Sequence, residues 1–323
     1  MKALCVFSGG LDSMLAAELI RVQGIEVLGL FFETPFFESK RARKSALSMD
    51  LPIRIVDITE RHLEVVKAPK HGYGGNMNPC IDCHALMFRI AGEMLEEEKA
   101  DFVLTGEVLG QRPMSQNKHA LDLVARSSGL DGLLLRPLTA RCLQETIPEQ
   151  KGWVKRELLM DFQGRTRKPQ IALARKLHIK DYPAPAGGCI LTEKAFSRRL
   201  KDLLSHKSSA GPREIELLKL GRHFRIGPDS KLVVGRNKSE NEIIQSLSGD
   251  EDLILTTKTV PGPTVLFSGD ISQEALQISS AITLAYSDAQ NGVTTDVRVR
   301  GRMGEEIVTA AVRDKKEFRG YMV

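Results

Sequence analysis

The stretch Ala3-Leu4-Cys5-Val6-Phe7-Ser8-Gly9-Gly10-Leu11-Asp12-Ser13 decides the architecture. Five apolar residues read as a buried strand. Leu11, Leu15, Ala16, Leu19 and Ile20 then recur at helical spacing, so the Ser/Gly turn between them opens a helix. A strand, a tight turn and a helix N-terminus together make an oxyanion cradle. Free backbone N–H groups and the positive end of the helix dipole converge there, and Gly9 and Gly10 let the backbone come close. Ser8 and Ser13 add hydroxyl donors, and Asp12 is suited to help hold Mg²⁺ beside a pyrophosphate. The spacing is too short for a Walker A loop and no Gly-Lys-Ser/Thr follows. A plain glycine-containing strand-to-helix turn is the alternative reading.

Beyond this turn the pattern repeats. Glu26 to Phe32, Ile53 to Asp57, Asp101 to Thr105 and Leu133 to Arg136 read as further strands, with helical stretches around 38–50, 84–99 and 115–128. Such alternation predicts right-handed crossovers and a parallel sheet covered on both faces, that is, an α/β, Rossmann-like fold. Ligands of such sheets sit at the carboxyl ends of the strands. The SGGLDS turn, Phe31-Phe32 and Thr105-Gly106-Glu107 all fall there. Either phenylalanine is a candidate for stacking on adenine, with simple core packing as the alternative. Thr105 and Gly106 are candidates for nucleotide contact.

Asn78-Pro79-Cys80-Ile81-Asp82-Cys83-His84 is the second signal. Two thiols at Cys-x-x-Cys spacing can chelate a metal or cluster. Pro79 followed by a helix near His84 places both by a helix N-terminus, where a lowered thiol pKa is expected. Cys189 follows a stiff Pro-Ala-Pro-Ala-Gly-Gly segment, where packing does not call for a cysteine. Three cysteines would leave a fourth coordination position open; structural zinc and a redox pair are the alternatives. Cys5, inside the first strand, is expected in the core, and Cys142 stays ambiguous. After residue 164 a Lys168-Pro169 start announces a short helix.

Composition sets outer bounds. The 323 residues are 42% hydrophobic and 27% charged, ordinary for a soluble globular protein, and long enough for two domains. No apolar stretch approaches the roughly 20 residues of a membrane span, and no signal-peptide pattern opens the chain, so a cytoplasmic location with no membrane partner is expected. Five cysteines there argue for metal or redox chemistry over disulfides. The net charge of +5 is uneven: residues 1–212 carry 31 Lys+Arg against 25 Asp+Glu, residues 213–323 carry 15 against 16. The basic surplus of the first part fits a polyanionic partner.

SGGLDS resembles the PP-loop of ATP pyrophosphatases, which cleave ATP between the α- and β-phosphates. With NPCxxCH and PAGGC beside it, residues 1–192 are similar to the tRNA thiouridine synthases of that superfamily, the 4-thiouridine synthases and 2-thiouridylases. The resemblance implies a PP-loop, adenine nucleotide alpha hydrolase fold, ATP with Mg²⁺, and a tRNA uridine as sulfur acceptor, with uridine 8 and 4-thiouridine as the best match. It implies that Ser8, Gly9, Gly10, Asp12 and Ser13 grip the phosphates. Cys80, Cys83 and Cys189 would hold a 4Fe-4S cluster or, without one, supply a persulfide pair, with Asp12, Cys80 and Cys189 as the catalytic set. The sulfur would come from a cysteine desulfurase or inorganic sulfide. Two rival readings are an adenylating synthetase with a nitrogen nucleophile and structural zinc, and an ATP-sensing RNA-binding module.

Residues 193–212 are polar and basic and are expected as a linker. From His223 onward, short strands and turns surround one helical run, ISQEALQISSAITLAYSDAQ, giving a smaller α+β domain over 213–323. Gly235-Arg236-Asn237 followed by Val260-Pro261-Gly262-Pro263-Thr264-Val265 resembles the NFACT-R RNA-binding domain. That resemblance implies phosphate contacts from Arg236, Asn237, Lys238 and Lys258. The 4-thiouridine synthases carry a ferredoxin-like and THUMP tRNA-binding module before the first strand, and this domain is expected to stand in for it. The oligomeric state stays open.

Overall fold

The computed structural model describes residues 1–130, 132–184 and 189–323. The chain divides into two compact units, Met1–Glu193 and Lys194–Val323.

In the first unit five strands, β1 (Lys2–Val6), β2 (Glu26–Glu33), β3 (Ile53–Asp57), β4 (Phe102–Thr105) and β5 (Leu134–Leu135), form one sheet in the order β3-β2-β1-β4-β5. Every neighbouring pair is parallel. The crossovers are α1 (Leu11–Arg21), α2 (Lys40–Ser48), α3 (Thr59–Lys67), α4 (Cys80–Glu93) and α5 (Lys118–Ser128). A single turn, α6 (Ile147–Gln150), and α7 (Lys168–Lys176) follow. Both faces of the sheet are covered, and the strand period of two shows how. Ala3, Cys5, Phe31, Phe102 and Leu104 face one core with Leu11, Leu15, Ala42 and Ala174. Leu4, Leu30, Phe32 and Val103 face the other with Leu86, Phe88 and Val124. Local signals set the helix ends. Asn117 caps α5 by accepting the Ala120 N–H, and Gly129 ends it in the left-handed conformation.

The second unit opens with α8 (Lys194–His206) and α9 (Pro212–Leu218). Six antiparallel strands follow: β6 (Arg222–Arg225), β7 (Lys231–Val234), β8 (Leu253–Thr257), β9 (Val265–Ser268), β10 (Thr294–Gly301) and β11 (Gly304–Ala311), in the order β11-β10-β8-β9-β7-β6. Two helices, α10 (Lys238–Ser246) and α11 (Gln273–Ala285), interrupt them. Ala281, Ile282 and Leu284 of α11 pack on Phe224, Leu255, Phe267 and Val297. Helix α8 lies where a linker is expected. Its Phe196, Leu200 and Leu203 are buried at helical spacing, and Asp202 takes hydrogen bonds from Arg225 and Lys231.

Candidate active site

The Ser/Gly turn lies between β1 and α1, at the carboxyl end of the sheet's central strand, with Gly10 as the helix N-cap. Its shape is fixed by its own polar groups. Ser13 Oγ donates to the Gly10 carbonyl (2.8 Å), Ser8 Oγ accepts from the Gly10 N–H (3.3 Å), and the two serine hydroxyls lie 3.3 Å apart. Ser45 of α2 donates to the Gly9 carbonyl (2.8 Å). Two glycines are steric requirements. Gly9 has φ +71°, and a Cβ there would lie 2.6 Å from the Ala42 Cα. A Cβ at Gly106 would lie 2.5 Å from the Asp12 carbonyl carbon and the Ser13 nitrogen. Gly106 therefore lets the exit of β4 press against the first turn of α1, a packing role distinct from the expected nucleotide contact.

Asp12 is largely buried. Gln111 donates to its Oδ2 (3.1 Å), while Oδ1 has no partner among the described residues. Burial raises its pKa, opposed by the Gln111 hydrogen bond and the charges of Arg167 and Arg112. An orphaned buried carboxylate oxygen at a phosphate cradle fits Mg²⁺, which usually takes one or two carboxylates and leaves its other positions to phosphates and water.

The two Cys-x-x-Cys residues occupy the first turn of α4, which starts at Cys80, earlier than expected. Asp82, between them, accepts from both the backbone N–H and Nδ1 of His71 (2.9 and 2.8 Å), anchoring the preceding loop. Cys83 is buried, with its Sγ 2.9 Å from Nε2 of His62, a fully buried residue of α3. Cys189 lies within electrostatic range of both Cys80 and Cys83. Most of the Pro-Ala-Pro-Ala-Gly-Gly segment leading to Cys189, residues 185–188, lies outside the described residues.

The expected lowering of the thiol pKa is overturned. Burial raises Cys80, against the Arg112 charge and hydrogen bonds from Asn78 and Ser115. Burial pushes Cys83 far above the usual range and Cys189 up to about 11. Desolvation outweighs the helix N-terminus because these sulfurs lose most of their contact with water. His62 is held neutral, its pKa lowered by burial to about 4.

As arranged, the thiols do not make a ligand set for the expected 4Fe-4S cluster. Among the described residues no three His, Cys, Asp or Glu side chains are placed to hold a metal ion, and the Cys83 sulfur already has His62. Cys5 is buried in the core as expected. Cys142 donates to the Asp161 carbonyl (3.3 Å). Phe31 and Phe32 are both buried, on opposite faces of the sheet. Thr105 is buried at the end of β4.

Arg112 and Arg41 carried no sequence signal, whereas Glu107 lies in the strand-end segment that the sequence singles out. Arg112, an exposed residue of the loop after β4, lends positive charge to Asp12, Cys80 and Cys189, a lesser influence on each than burial. Arg41, one residue before Ala42, has a buried Nε without a partner among the described residues, and its guanidinium approaches Gly10. Glu107, just past Gly106, is buried between Arg136 (2.9 Å) and His84 Nδ1 (2.7 Å). Burial pushes its carboxyl upward, and Arg136 and His84 more than offset this, leaving it below the usual range.

Comparison with known proteins follows this division. A family model described as "Thiamine biosynthesis protein (ThiI)" matches residues 1–148, and one described as "NFACT protein RNA binding domain" matches residues 221–322. A "Probable tRNA sulfurtransferase" of Oceanobacillus iheyensis is 27% identical over 157 residues, covering 45% of this chain and 37% of its own. The tRNA-specific 2-thiouridylase MnmA of Karelsulcia muelleri is 34% identical over 128 residues, covering 36% and 33%. The chain thus spans little more than a third of the length of these relatives. A solved 4-thiouridine synthetase–RNA complex with bound ATP aligns with TM-score 0.37 and 22% identity over 55% of this chain and 51% of that one. No helix of the described residues is long and apolar enough to cross a membrane. Residues 1–148 are accordingly similar to the ThiI family, and residues 221–322 to the NFACT RNA-binding domain.

Proposed function

We propose that the chain is an ATP-dependent tRNA sulfurtransferase that adenylates a uridine carbonyl and replaces its oxygen with sulfur, with the 4-position of uridine 8 as the favoured target. The observation that carries the reading is the phosphate cradle: the SGGLDS turn at a helix N-terminus and the carboxyl end of the central strand, with Oδ1 of Asp12, unpartnered among the described residues, beside it.

A uridine carbonyl oxygen is a poor leaving group. Its attack on the α-phosphorus of ATP forms an adenylate and expels pyrophosphate. The N–H groups of Gly9 and Leu11 and the Ser8 hydroxyl are the donors left to meet the charge that develops, while Ser13 holds the turn through its bond to the Gly10 carbonyl. Asp12 would hold Mg²⁺, which when bound neutralises phosphate charge. A persulfide on one cysteine of the Cys80, Cys83 and Cys189 group attacks the activated carbon through its outer sulfur, and AMP departs with the oxygen. A second thiol then attacks the inner sulfur, releasing the thiouridine and leaving a disulfide that an external thiol reductant reopens. A cysteine desulfurase would renew the persulfide by passing the outer sulfur of its own persulfide to a reopened thiol; inorganic sulfide would instead attack the disulfide before it is reduced, forming the persulfide and releasing the second thiol. The target base must leave its stack to reach the site. The test is the thionucleoside profile of tRNA from a deletion strain by mass spectrometry. Loss of 4-thiouridine is expected, and an unchanged profile refutes the reading.

A further inference from the structure

The second unit carries a cluster of cations with no carboxylate partner among the described residues. A cavity of about 470 Å³ is lined by Arg198 of α8, Tyr286 at the end of α11, and Lys315, Lys316, Arg319 and Met322 of the C-terminal 3₁₀ segment. Arg222 of β6 lies over the Tyr286 ring at 4.9 Å, and Lys315 approaches it at 5.5 Å. None of Arg198, Arg222, Lys315, Lys316 and Arg319 has a carboxylate partner among the described residues. The nearby carboxylates are occupied: Asp314 accepts the Lys316 N–H and Glu317 the Asp314 N–H, together capping the segment.

The residues that sequence resemblance marks for phosphate contact are otherwise engaged. Arg236 is held by Glu240 through several hydrogen bonds, Asn237 caps α10, and Lys258 pairs with Asp296. Only Lys238, 4.0 Å from Glu242, stays largely exposed. A cation already paired has little left to offer a phosphate, because a new contact must first break the old one. The near-neutral charge of residues 213–323 thus conceals an uneven distribution.

We propose that this Tyr286-centred cavity is where the C-terminal unit grips RNA, through backbone phosphates and without reading bases. The tyrosine faces cations, so its part is to hold positive charge in place through cation–π contact. Exposed arginines and lysines around it then bind phosphate and release counterions, which gives affinity that is insensitive to sequence and steep in salt. The identity of the RNA as tRNA rests on the function proposed above; the location of the contact does not.

The test is binding of an unmodified tRNA transcript to the full chain across a salt series. Arg198→Gln/Lys316→Gln/Arg319→Gln should weaken binding at least about tenfold and lower the slope of log affinity against log salt by about 2. Melting should be unchanged, since all three side chains are exposed. The control Lys238→Gln/Lys258→Gln/Arg302→Gln removes the same charge from cations beside carboxylates and should stay within about threefold of the parent. Parent-like binding by the first variant, an equal loss in the control, or a chain that binds anionic vesicles and not RNA overturns the proposal. An absent thiouridine product with the expected binding losses would refute the enzymatic reading alone.

Discussion

Gly106→Ala is a sharp test of how the site is built. The backbone at Gly106 lies outside the left-handed region, so any effect is steric. The added Cβ would fall 2.5 Å from the Asp12 carbonyl carbon and the Ser13 nitrogen, and the two segments must part by about 0.9 Å to reach the 3.4 Å of ordinary contact. Neither side gives easily. The first turns of α1 are held by buried Leu11, Met14 and Leu15, and the far side is pinned by Glu107, bonded to Arg136 and His84. Forcing a methyl into such packing costs about 1–3 kcal/mol, or a fall of roughly 4–8 °C in melting temperature for a 2 kcal/mol loss in a unit of this size. The same shift moves Asp12 and the cradle N–H groups by a large fraction of an ångström, where about 1 Å is worth on the order of 10² in rate. ATP affinity by calorimetry and pyrophosphate release should therefore fall together. Gly75→Ala, with open space around its Cβ, should change neither. A Gly106→Ala protein that melts normally and binds ATP fully would refute the close approach.

Asp12→Asn keeps the shape and removes the charge suited to Mg²⁺, so pyrophosphate release should drop by on the order of 10² or more; full release would remove Asp12 from the mechanism. Alanine at Cys80, Cys83 or Cys189 should abolish thiolation in tRNA assays while ATP binding survives, and Cys5→Ala should cost about 1 kcal/mol or less and leave activity intact. Thiolation by Cys189→Ala would exclude that thiol. Asp202→Asn leaves Arg225 and Lys231 without their anionic partner. Arg225 and Lys231 outweigh the burial of Asp202 and hold its carboxyl at about 2, below the unfolded value of about 3.9. The unfolded chain thus binds more protons between these limits, and the aspartate's contribution is present above about pH 4 and lost as pH falls through about 2. The Asn variant should be less stable at pH 7 by roughly 1–2 kcal/mol after solvent screening, the gap closing by pH 2; a gap that stays constant with pH argues against the ion pair.

The doubly covered parallel sheet was legible because its strands are short apolar runs and its cradle combines two helix-entry glycines with flanking serines. Helix α3 escaped notice: nine residues, with His62, Leu63 and Val66 as its buried side, give too little periodicity to register, and with it went the imidazole beside Cys83. In α8 the apolar spacing of Phe196, Leu200 and Leu203 was present, but Arg198, Arg199, Lys201 and Asp202 between them gave a polar reading. Arg199 and Asp202 turn out to be tied into the second unit, Arg199 through the carbonyls of Leu218 and Gly221. Gln111 could not be found from sequence at all, since its bond to Asp12 arises only when the loop after β4 returns to the cradle. The thiol acidity was misjudged for a related reason: a helix N-terminus is visible in sequence, whereas depth of burial is a property of the fold.

That depth has a bearing on survival in an oxidising cell. Peroxide attacks thiolates, and susceptibility follows thiolate character and exposure. Cys83 and Cys189 stay protonated at neutral pH, and Cys83 is buried and Cys189 half-buried, so between turnovers they are slow to climb toward sulfenic and sulfinic acids. The burial that makes them sluggish nucleophiles also gives them a long shelf life.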